Sequence, residues 1–428
     1  MKFPTRAERR AVERLLHYGD RLRGPGWNPR SPPDPRLNVQ RVRILLDAAA
    51  SPDLAMTCVL VAGTKGKGST AAFLASSLAA AGIRTGLFTS PHLQSWRERI
   101  RVDGVAIRPA AFAASVEHAL GYVPALWRAG PRLGDPSAFE LLAVTALSHF
   151  ARQRCTVAVL EVGLGGRYDA TNAVDPAISI VTSIGLDHVS ILGSTLDRIA
   201  REKAGVMRAR RPALLAPQAP PAARALARAC REVGAECRSV RPLGPAVKLG
   251  IPGSHQRQSA ALARAAALEL REAGHPIDDR AIALGLRRLR WPARFEVIRG
   301  RPTVVLDGAH TEESTAALAA TIRRTFPGRR LRLVFGCMSD RDPSLVAGPL
   351  LRLSASVHAT AAPGPRAMPA EQVATALDAA SAHARVGDAL GEARTTASGG
   401  DVVCVTGSMA LVGEARTRMG LGIPEELW

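Results

Sequence analysis

The sequence is poor in lysine, asparagine and aromatic residues, and it has no long uninterrupted apolar run. Only five of its 428 residues are lysine and three are asparagine, and aromatic residues make up 4%. Arg, Gly or Pro breaks each apolar run well before the roughly 18 residues that a membrane-spanning helix needs. Residues 1–10 are charged and contain no apolar signal core. We therefore expect a cytoplasmic protein that has no membrane partner.

Cysteine is also scarce, and its spacing suggests no cross-link. The six cysteines form no C-x-x-C pair and have no histidine-rich partner spacing. Several lie inside apolar runs, where a reduced cysteine behaves as a small hydrophobic residue. The pattern predicts no disulfide bond and no zinc site.

Acidic residues are outnumbered by basic ones, 37 to 57, which gives a formal net charge of +20. Such a charge raises the possibility of nucleic-acid binding. The charge is almost all arginine, however, and it is spread along the chain without an aromatic platform for bases. Scarce Lys and Asn beside abundant Ala, Arg, Gly and Pro indicate a GC-rich coding bias instead. In such a chain we expect a remaining lysine to need its amine, and Lys65, Lys67 and Lys203 lie in motif-like stretches.

The stretch 61–70, VAGTKGKGST, follows a short apolar strand over 57–60 and precedes an Ala/Leu-rich helix over 71–81. A glycine-rich turn of this kind leaves backbone N–H groups free and directs a helix N-terminus at the same point, which favours phosphate. Lys67 would add a positive charge, and Ser69 or Thr70 a hydroxyl. The glycine spacing departs from the usual P-loop, so an ordinary glycine-rich turn is the alternative. The predicted phosphate loop consists of Gly63, Thr64, Lys65, Gly66, Lys67, Gly68 and Ser69.

Helical and apolar strand patterns alternate along the chain, which predicts parallel sheets covered on both faces. A helical pattern over 7–23 and a Pro/Gly-rich loop over 24–35 come first. Trp291-Pro292 interrupts a helical run, and the alternation restarts beyond it. Because 428 residues are too many for one typical core, we predict a larger domain over 1–291 and a smaller α/β domain over 292–428.

Polar residues stand where three predicted strands end: Ser90, Glu161 and His188. The carboxyl ends of parallel strands meet at the crevice where α/β sheets bind ligands. A carboxylate, an imidazole and a hydroxyl beside a phosphate loop form a reasonable magnesium shell. Taken singly, each could be a loop or capping residue; as a set they favour a Mg-nucleotide site.

Taken together, ten short stretches resemble the folylpolyglutamate synthase/dihydrofolate synthase family of Mur-type ligases. They run in family order across nearly the whole chain after residue 40. They are VAGTKGKGS (61–69), TSPHL (89–93), ERI (98–100), EVGLGGRYDATN (161–172), SIGLDH (183–188), AREKAGVMR (200–208), HQ (255–256), WPARF (291–295), LDGAH (306–310) and TGSMALVGE (406–414).

The resemblance implies an N-terminal P-loop-type three-layer ATPase domain and a smaller Rossmann-like C-terminal domain. It also implies an ADP-forming amide ligase: ATP phosphorylates a carboxylate of dihydropteroate or of folates, and the amine of L-glutamate attacks the acyl phosphate. ATP and Mg²⁺ at two sites are expected, with small-molecule substrates, no nucleic acid and a monomeric chain.

Residue roles follow from the same resemblance, position by position. Ser90, Glu161 and His188 match magnesium ligands, and Lys203 matches a lysine whose carbamylated form holds a second metal. An arginine cannot be carbamylated, which would explain why Lys203 remains a lysine. Lys67, Lys203 and His188 are the predicted catalytic residues. The other matches are Phe139 and Asp169 for the pterin, Ser408 for glutamate, and Arg294, Asp307 and His310 for the nucleotide.

Four positions depart from the family pattern. Lys65, Ser259 and Thr311 stand where the family has asparagine, and Arg341 where it has lysine. Because lysine is as scarce here as asparagine, Lys65 is not explained by composition, and we predict an altered grip on the nucleotide. Three alternatives remain at this stage: a divergent ligase for another carboxylic acid, a non-catalytic homologue, and a P-loop nucleic-acid-binding ATPase.

Overall fold

In the computed structural model, residues 5–19 and 34–428 are described, and they contain two mainly parallel sheets. The larger sheet has eight strands in the order β4-β3-β2-β5-β1-β6-β7-β8. Its strands are β1 (Thr57–Ala62), β2 (Thr85–Phe88), β3 (Ile100–Val102), β4 (Val105–Ala106), β5 (Val157–Glu161), β6 (Ile178–Val181), β7 (Pro212–Leu215) and β8 (Glu236–Ser239). Only the β2–β3 and β3–β4 pairs are antiparallel.

Helices cover both faces of this sheet, which gives three layers. They are α1 (Arg6–His17), α2 (Arg36–Ala48), α3 (Lys67–Ala80), α4 (Pro109–Gly121), α5 (Val123–Ala129), α6 (Ala138–Arg152), α7 (Val189–Leu192), α8 (Leu196–Ala204), α9 (Pro220–Val233), α10 (Gln256–Glu272) and α11 (Asp279–Arg288). Side chains alternate across the central strand β1. Val59 and Val61 pack with α3, α10 and α11, whereas Leu60 packs on the other face with α2 and α6. Because both faces are buried, the central strands are continuous apolar runs.

The smaller sheet has six strands in the order β13-β12-β11-β14-β10-β9, and only β9 is antiparallel to its neighbour. Its strands are β9 (Glu296–Ile298), β10 (Thr303–Leu306), β11 (Leu331–Phe335), β12 (Ser354–Thr360), β13 (Ser381–His383) and β14 (Val402–Thr406). The helices of this part are α12 (Glu312–Thr325), α13 (Pro343–Leu351), α14 (Ala370–Leu377), α15 (Val386–Thr395) and α16 (Met409–Arg418). Val304 and Val305 face different core clusters, so this sheet too is covered on both sides.

The predicted fold class is confirmed, but several elements differ from the sequence pattern. The sequence pattern over 191–207 is that of one capped helix, but the segment contributes to two helices, because Gly193 has a φ of 97° and ends α7. The hairpin β3–β4, the edge strands β8, β9 and β13, and the long helix α10 were not predicted. The loop predicted over 24–35 lies outside the described residues except at 34–35, as does the end of the first predicted helix.

The prediction of no disulfide is wrong, since Cys230 and Cys237 are bonded. Cys230 lies in the last turn of α9, and Gly234 adopts the left-handed conformation that ends this helix. The chain then reverses into β8, which brings the two Cα atoms to 6.2 Å. Cysteine spacing in the sequence does not reveal such a reversal. The other four cysteines, Cys58, Cys155, Cys337 and Cys404, are buried and free.

The end of the chain returns to the larger sheet. The backbone N–H of Ala106 donates to the carbonyl of Glu425 at 2.8 Å, and Leu427 is buried in the core beside α3 and α11. The predicted division at 291/292 falls between α11 and β9 and stays a prediction. No helix among the described residues is long and apolar enough to cross a membrane.

Candidate active site

The predicted phosphate loop connects the buried strand β1 to the start of α3. Gly63 and Gly66 have φ values of 140° and 85°, which side-chain-bearing residues rarely adopt. A Cβ atom at Gly63 would also collide with Thr182 of the strand-end segment after β6. The N–H of Thr64 donates to the carbonyl of Ser183 at 2.8 Å, which anchors the loop to the same segment. The N-terminus of α3 is thus presented as a ready anion site.

Lys67 is the first residue of α3 and is half-buried. Its Nζ lies 3.5 Å from the carbonyl oxygen of Thr64, within the loop itself. Ser69 and Thr70 follow in the first turn and are buried, and the Thr70 hydroxyl has no hydrogen-bond partner among the described residues. The loop therefore supplies an amine, hydroxyls and free N–H groups at one point.

Glu161 ends β5 beside this loop. Its carboxylate is buried, faces Gly68, and accepts the backbone N–H of Ser90 at 2.9 Å. Burial raises the pKa of Glu161, and the nearby charge of Lys67 opposes that shift. A buried carboxylate with so few donors is suited to a cation.

The segment that carries Ser90 is held in place by Glu98. The carboxylate of Glu98 accepts the backbone N–H groups of Leu93, Gln94 and Ser95 at 3.0, 2.7 and 2.7 Å. The Glu-Arg-Ile stretch therefore shapes the loop after β2 and does not itself reach the phosphate loop through these bonds.

Lys203 comes from α8 and reaches the phosphate loop from the side. It is 4% exposed, and its Nζ donates to the carbonyl of Gly63 at 2.8 Å. Burial and the charge of Lys67 lower the pKa of Lys203 to about 7. A lysine amine that is neutral in part near pH 7 is an unusual and reactive group.

Lys65 pairs with Asp187, in the loop after β6. Its Nζ lies 3.0 Å from Asp187 Oδ2, while Arg341 Nη2 lies 3.2 Å from Asp187 Oδ1. Burial opposes the charge on Asp187, but Lys65, His188 and Arg341 together hold the pKa of this carboxyl well below its usual value. Sequence reasoning missed this cluster, although an aspartate directly after a predicted strand end was a signal.

His188 is exposed and has a φ of 50°. Partial desolvation of its ring by neighbouring groups and the charges of Lys67 and Lys203 lower the pKa of His188, against the attraction of Asp187. Among the described residues, no group of three or more His, Cys, Asp and Glu side chains could hold a metal ion. The predicted magnesium shell has only two residues of these types, Glu161 and His188, and completes them with Ser90; Lys203 was predicted to hold a second metal in its carbamylated form.

The smaller sheet contributes Arg294, Asp307 and His310 at the junction. Asp307 accepts the N–H groups of Phe295 and Ala309 at 2.7 and 2.9 Å. His310 Nδ1 lies 2.9 Å from the carbonyl of Gly308. Burial, and then the charge of Lys65 in the other domain, lower the pKa of His310 to about 4. His310 thus lies close enough to the phosphate loop to be influenced by the charge of Lys65.

Phe139 and Asp169, predicted to contact a pterin, both lie near the loop after β5. Phe139 is half-buried, packs against Phe88 with a centroid distance of 5.6 Å, and touches Gly163. Asp169 is buried and accepts the N–H groups of Leu164 and Thr171 at 2.9 and 3.0 Å. Burial raises its pKa. Much of its hydrogen-bonding capacity is therefore already used within the loop.

Two residues that the sequence analysis named, Ser408 and Thr311, are N-caps of helices in the structure. The Ser408 hydroxyl accepts the N–H of Leu411 at 3.1 Å and caps α16. Thr311 caps α12 in a capping box with Ser314. Asparagine and threonine are both good N-caps, so the threonine in place of the family's asparagine preserves this function. Ser259, in α10, lies against Gly66 of the phosphate loop.

Comparisons with known proteins agree with this geometry. Residues 293–409 match the family model "Mur ligase, glutamate ligase domain". The dihydrofolate synthase/folylpolyglutamate synthase of Bacillus subtilis is 32% identical over 407 residues, which covers 89% of this chain and 94% of that protein.

Solved structures of this type superpose on most of the chain. The Mycobacterium tuberculosis folylpolyglutamate synthase complexed with ADP has a TM-score of 0.86 at 30% identity and covers 97% of this chain and 98% of its own. The bifunctional folylpolyglutamate synthase/dihydrofolate synthase of Yersinia pestis complexed with AMPPNP and Mn has a TM-score of 0.81 at 29% identity and covers 98% of this chain and 100% of its own.

The three-layer domain, the phosphate loop and the second α/β domain define a Mur-type ligase. The chain belongs to the folylpolyglutamate synthase/dihydrofolate synthase family. It is accordingly an ADP-forming carbon–nitrogen ligase, which uses ATP to join glutamate to folates.

Proposed function

We propose that the reaction takes place at the junction of the two sheets, where the phosphate loop faces Arg294, Asp307 and His310. ATP phosphorylates the carboxylate of dihydropteroate, the γ-carboxylate of a folate, or both in turn. The amine of L-glutamate attacks the acyl carbon, loses a proton, and displaces phosphate to form the amide. The observation that carries this proposal is the meeting of Lys67, Glu161 and Lys203 at the start of α3.

Each part of the phosphate loop has a task in this scheme. The N–H groups at the start of α3 would hold the β- and γ-phosphates. Lys67 would neutralise charge that develops on the transferred phosphoryl group. Lys65 was predicted to add to this grip, but its amine is already paired with Asp187.

The buried Glu161 carboxylate fits a magnesium ion, because its one donor among the described residues is the N–H of Ser90. Ser90, Glu161 and His188 would hold Mg²⁺, which when bound would neutralise charge on phosphate oxygens and keep them in line for transfer. The Yersinia pestis enzyme binds Mn together with AMPPNP, which supports a divalent metal at the nucleotide site of this chain.

We infer a second metal position at Lys203, formed by carbamylation of its amine. Its neutral amine would add to the carbon of CO₂ and lose a proton, which turns a buried amine into a carboxylate-like ligand. The burial of Lys203 and its contact with Gly63 of the phosphate loop support this role.

The organic substrates would lie on either side of the transferred phosphoryl group. Phe139 is half-exposed and offers a ring face for a pterin, and Asp169 offers a buried carboxylate beside it. Arg294, Asp307 and His310 would contact the nucleotide from the second sheet. Ser408 stays a predicted glutamate contact, although its hydroxyl caps α16. The monomeric state and the cytoplasmic location also stay predictions.

The test is phosphate release in the presence of ATP, Mg²⁺ and L-glutamate, with dihydropteroate or tetrahydrofolate added in turn. We expect at least one acceptor to raise the rate well above the acceptor-free rate, with one ADP formed per amide. The Lys67→Met variant, which removes the loop amine, is the matched control and should lose roughly 100-fold or more in kcat. If neither acceptor raises the rate of the unmodified chain, the proposal is wrong.

A further inference from the structure

Lys65 is the least expected residue of the phosphate loop, and its amine points to a carboxylate. Its Nζ lies 3.0 Å from Asp187 Oδ2, and the lysine and aspartate side chains are 27% and 10% exposed. Lys65 and Ser183 also form an isolated antiparallel β-bridge. Main chain and side chain of Lys65 thus both bind the segment after β6, which carries His188.

The second carboxylate oxygen of Asp187, Oδ1, is contacted by a residue of the smaller domain. Arg341, in the loop between β11 and α13, lies 3.2 Å from Asp187 Oδ1 through Nη2, and the N–H of His188 donates to the same oxygen at 3.1 Å. Glu313, at the start of α12, lies against Gly185 in the same segment. The segment 183–188 is therefore held between the phosphate loop and the smaller domain.

A short neutral side chain at position 65 would leave this arrangement incomplete. Asp187 is mostly buried, and a buried carboxylate needs fixed cations or hydrogen bonds. An asparagine side chain ends two carbons from Cα, whereas the lysine amine lies at the end of a four-carbon stem. Arg341 would then be the main fixed cation on Asp187.

We propose that Lys65 is a positioning residue. Together with Arg341 it binds the carboxylate of Asp187. This contact joins the phosphate loop, the His188 segment and the loop before α13 into one unit before the nucleotide binds. This rests on the proposed function, because the unit it builds is the proposed ATP site. The two lysines of the loop then have separate roles: Lys67 faces the phosphate, and Lys65 holds the surrounding loops in position. A direct contact of Lys65 with the triphosphate is the competing role.

The first test measures backbone hydrogen exchange in the nucleotide-free protein and needs no activity. Lys65→Asn should speed exchange about two- to fivefold in segments 184–192 and 338–342, the size expected for losing a partly exposed ion pair. Lys65→Arg should restore slow exchange. Lys248→Asn removes one exposed lysine elsewhere and should change neither segment. Unchanged exchange at 338–342 in Lys65→Asn would overturn the proposal.

The second test separates positioning from phosphate contact by kinetics. Lys65→Asn and Asp187→Asn should each raise the KM for ATP several-fold, and the double variant should be no worse than Asp187→Asn alone, because both act through one contact. If the two effects multiply, Lys65 acts on ATP directly and the proposal is wrong. If the unmodified chain has no ligase activity, the proposed function fails, while hydrogen exchange still decides the role of Lys65.

Discussion

The buried Lys203 amine donates to the carbonyl of Gly63 at 2.8 Å, so that a residue of α8 closes on the first residue of the phosphate loop. These two residues are 140 positions apart in the sequence. The contact buries the Lys203 amine near the charge of Lys67, and burial and that charge lower its pKa to about 7. Such an arrangement costs free energy unless the amine has a use. Carbamylation would supply that use.

Lys203→Ala should therefore abolish most of the ligase activity and be rescued in part by short carboxylates. We expect a fall in kcat of roughly 100-fold or more, and recovery with added acetate or formate, which can occupy the space of the missing carbamate. Initial rates of phosphate release measure both effects.

Two further variants control this experiment. Lys203→Arg keeps the positive charge but cannot be carbamylated, so it should be inactive and should not respond to carboxylates. Lys248→Ala removes an exposed lysine and should keep full activity. Full activity of Lys203→Arg would exclude a carbamate at this position.

Glu161→Gln should weaken the use of magnesium without unfolding the chain. The amide oxygen can still accept the N–H of Ser90, so the loop after β2 keeps its anchor. The lost negative charge should raise the Mg²⁺ concentration for half-maximal activity by about tenfold or more. Magnesium titrations of activity measure this, with the thermal midpoint as a check on folding. An unchanged magnesium requirement would remove Glu161 from the metal site.

The buried ion pair between Arg41 and Glu140 should be the costliest charge contact to break. Its side chains are 0% and 3% exposed, with Nε–Oε2 at 2.8 Å, and it joins α2 to α6. Glu140→Ala should lower the free energy of unfolding by about 3–5 kcal/mol, since Arg41 is left buried without its partner.

The matched control is the exposed pair Arg201–Asp197 on α8. Asp197→Ala should cost at most about 1 kcal/mol. Denaturant unfolding measures both variants. Equal losses in the free energy of unfolding would mean that burial does not determine how strongly these ion pairs stabilise the fold.

Acid should destabilise the smaller domain through Glu392. Hydrogen bonds from Ser381, His383 and His358 lower the pKa of Glu392 to about 2, from an ordinary value of 4.5. A carboxyl group whose pKa is lower in the folded state than in the unfolded state stabilises the fold at any pH above its unfolded-state pKa. This stabilisation is lost as the pH falls from about 4.5 to 2. The thermal midpoint should therefore drop across this range.

Glu392→Gln should flatten that part of the pH profile, because the amide does not titrate. Its thermal midpoint should lie below that of the unmodified chain at pH 6 and approach it near pH 2. A profile that keeps its full slope between pH 4.5 and 2 would show that other carboxyl groups, such as Asp401, dominate acid unfolding.

Much of the fold was predictable because it depends on local patterns. The apolar runs at β1 and β5 and the glycines before α3 encode strand, turn and helix within a few residues. Polar residues at strand ends pointed to one edge of the sheet for the same reason. Edge strands such as β8 and β13 were missed, since short and partly exposed strands carry little apolar signal.

The sequence alone determined the phosphate loop, the alternation of strands and helices, and the family to which the chain belongs, because each depends on residues close together or on motif order. Tertiary structure decided which charged side chains form ion pairs and which cysteines form a disulfide bond. Lys65 lies 122 positions from Asp187, which lies 154 positions from Arg341, and no local pattern links them. Only the packing of two domains brings these three charges together, and only the reversal after α9 joins Cys230 to Cys237.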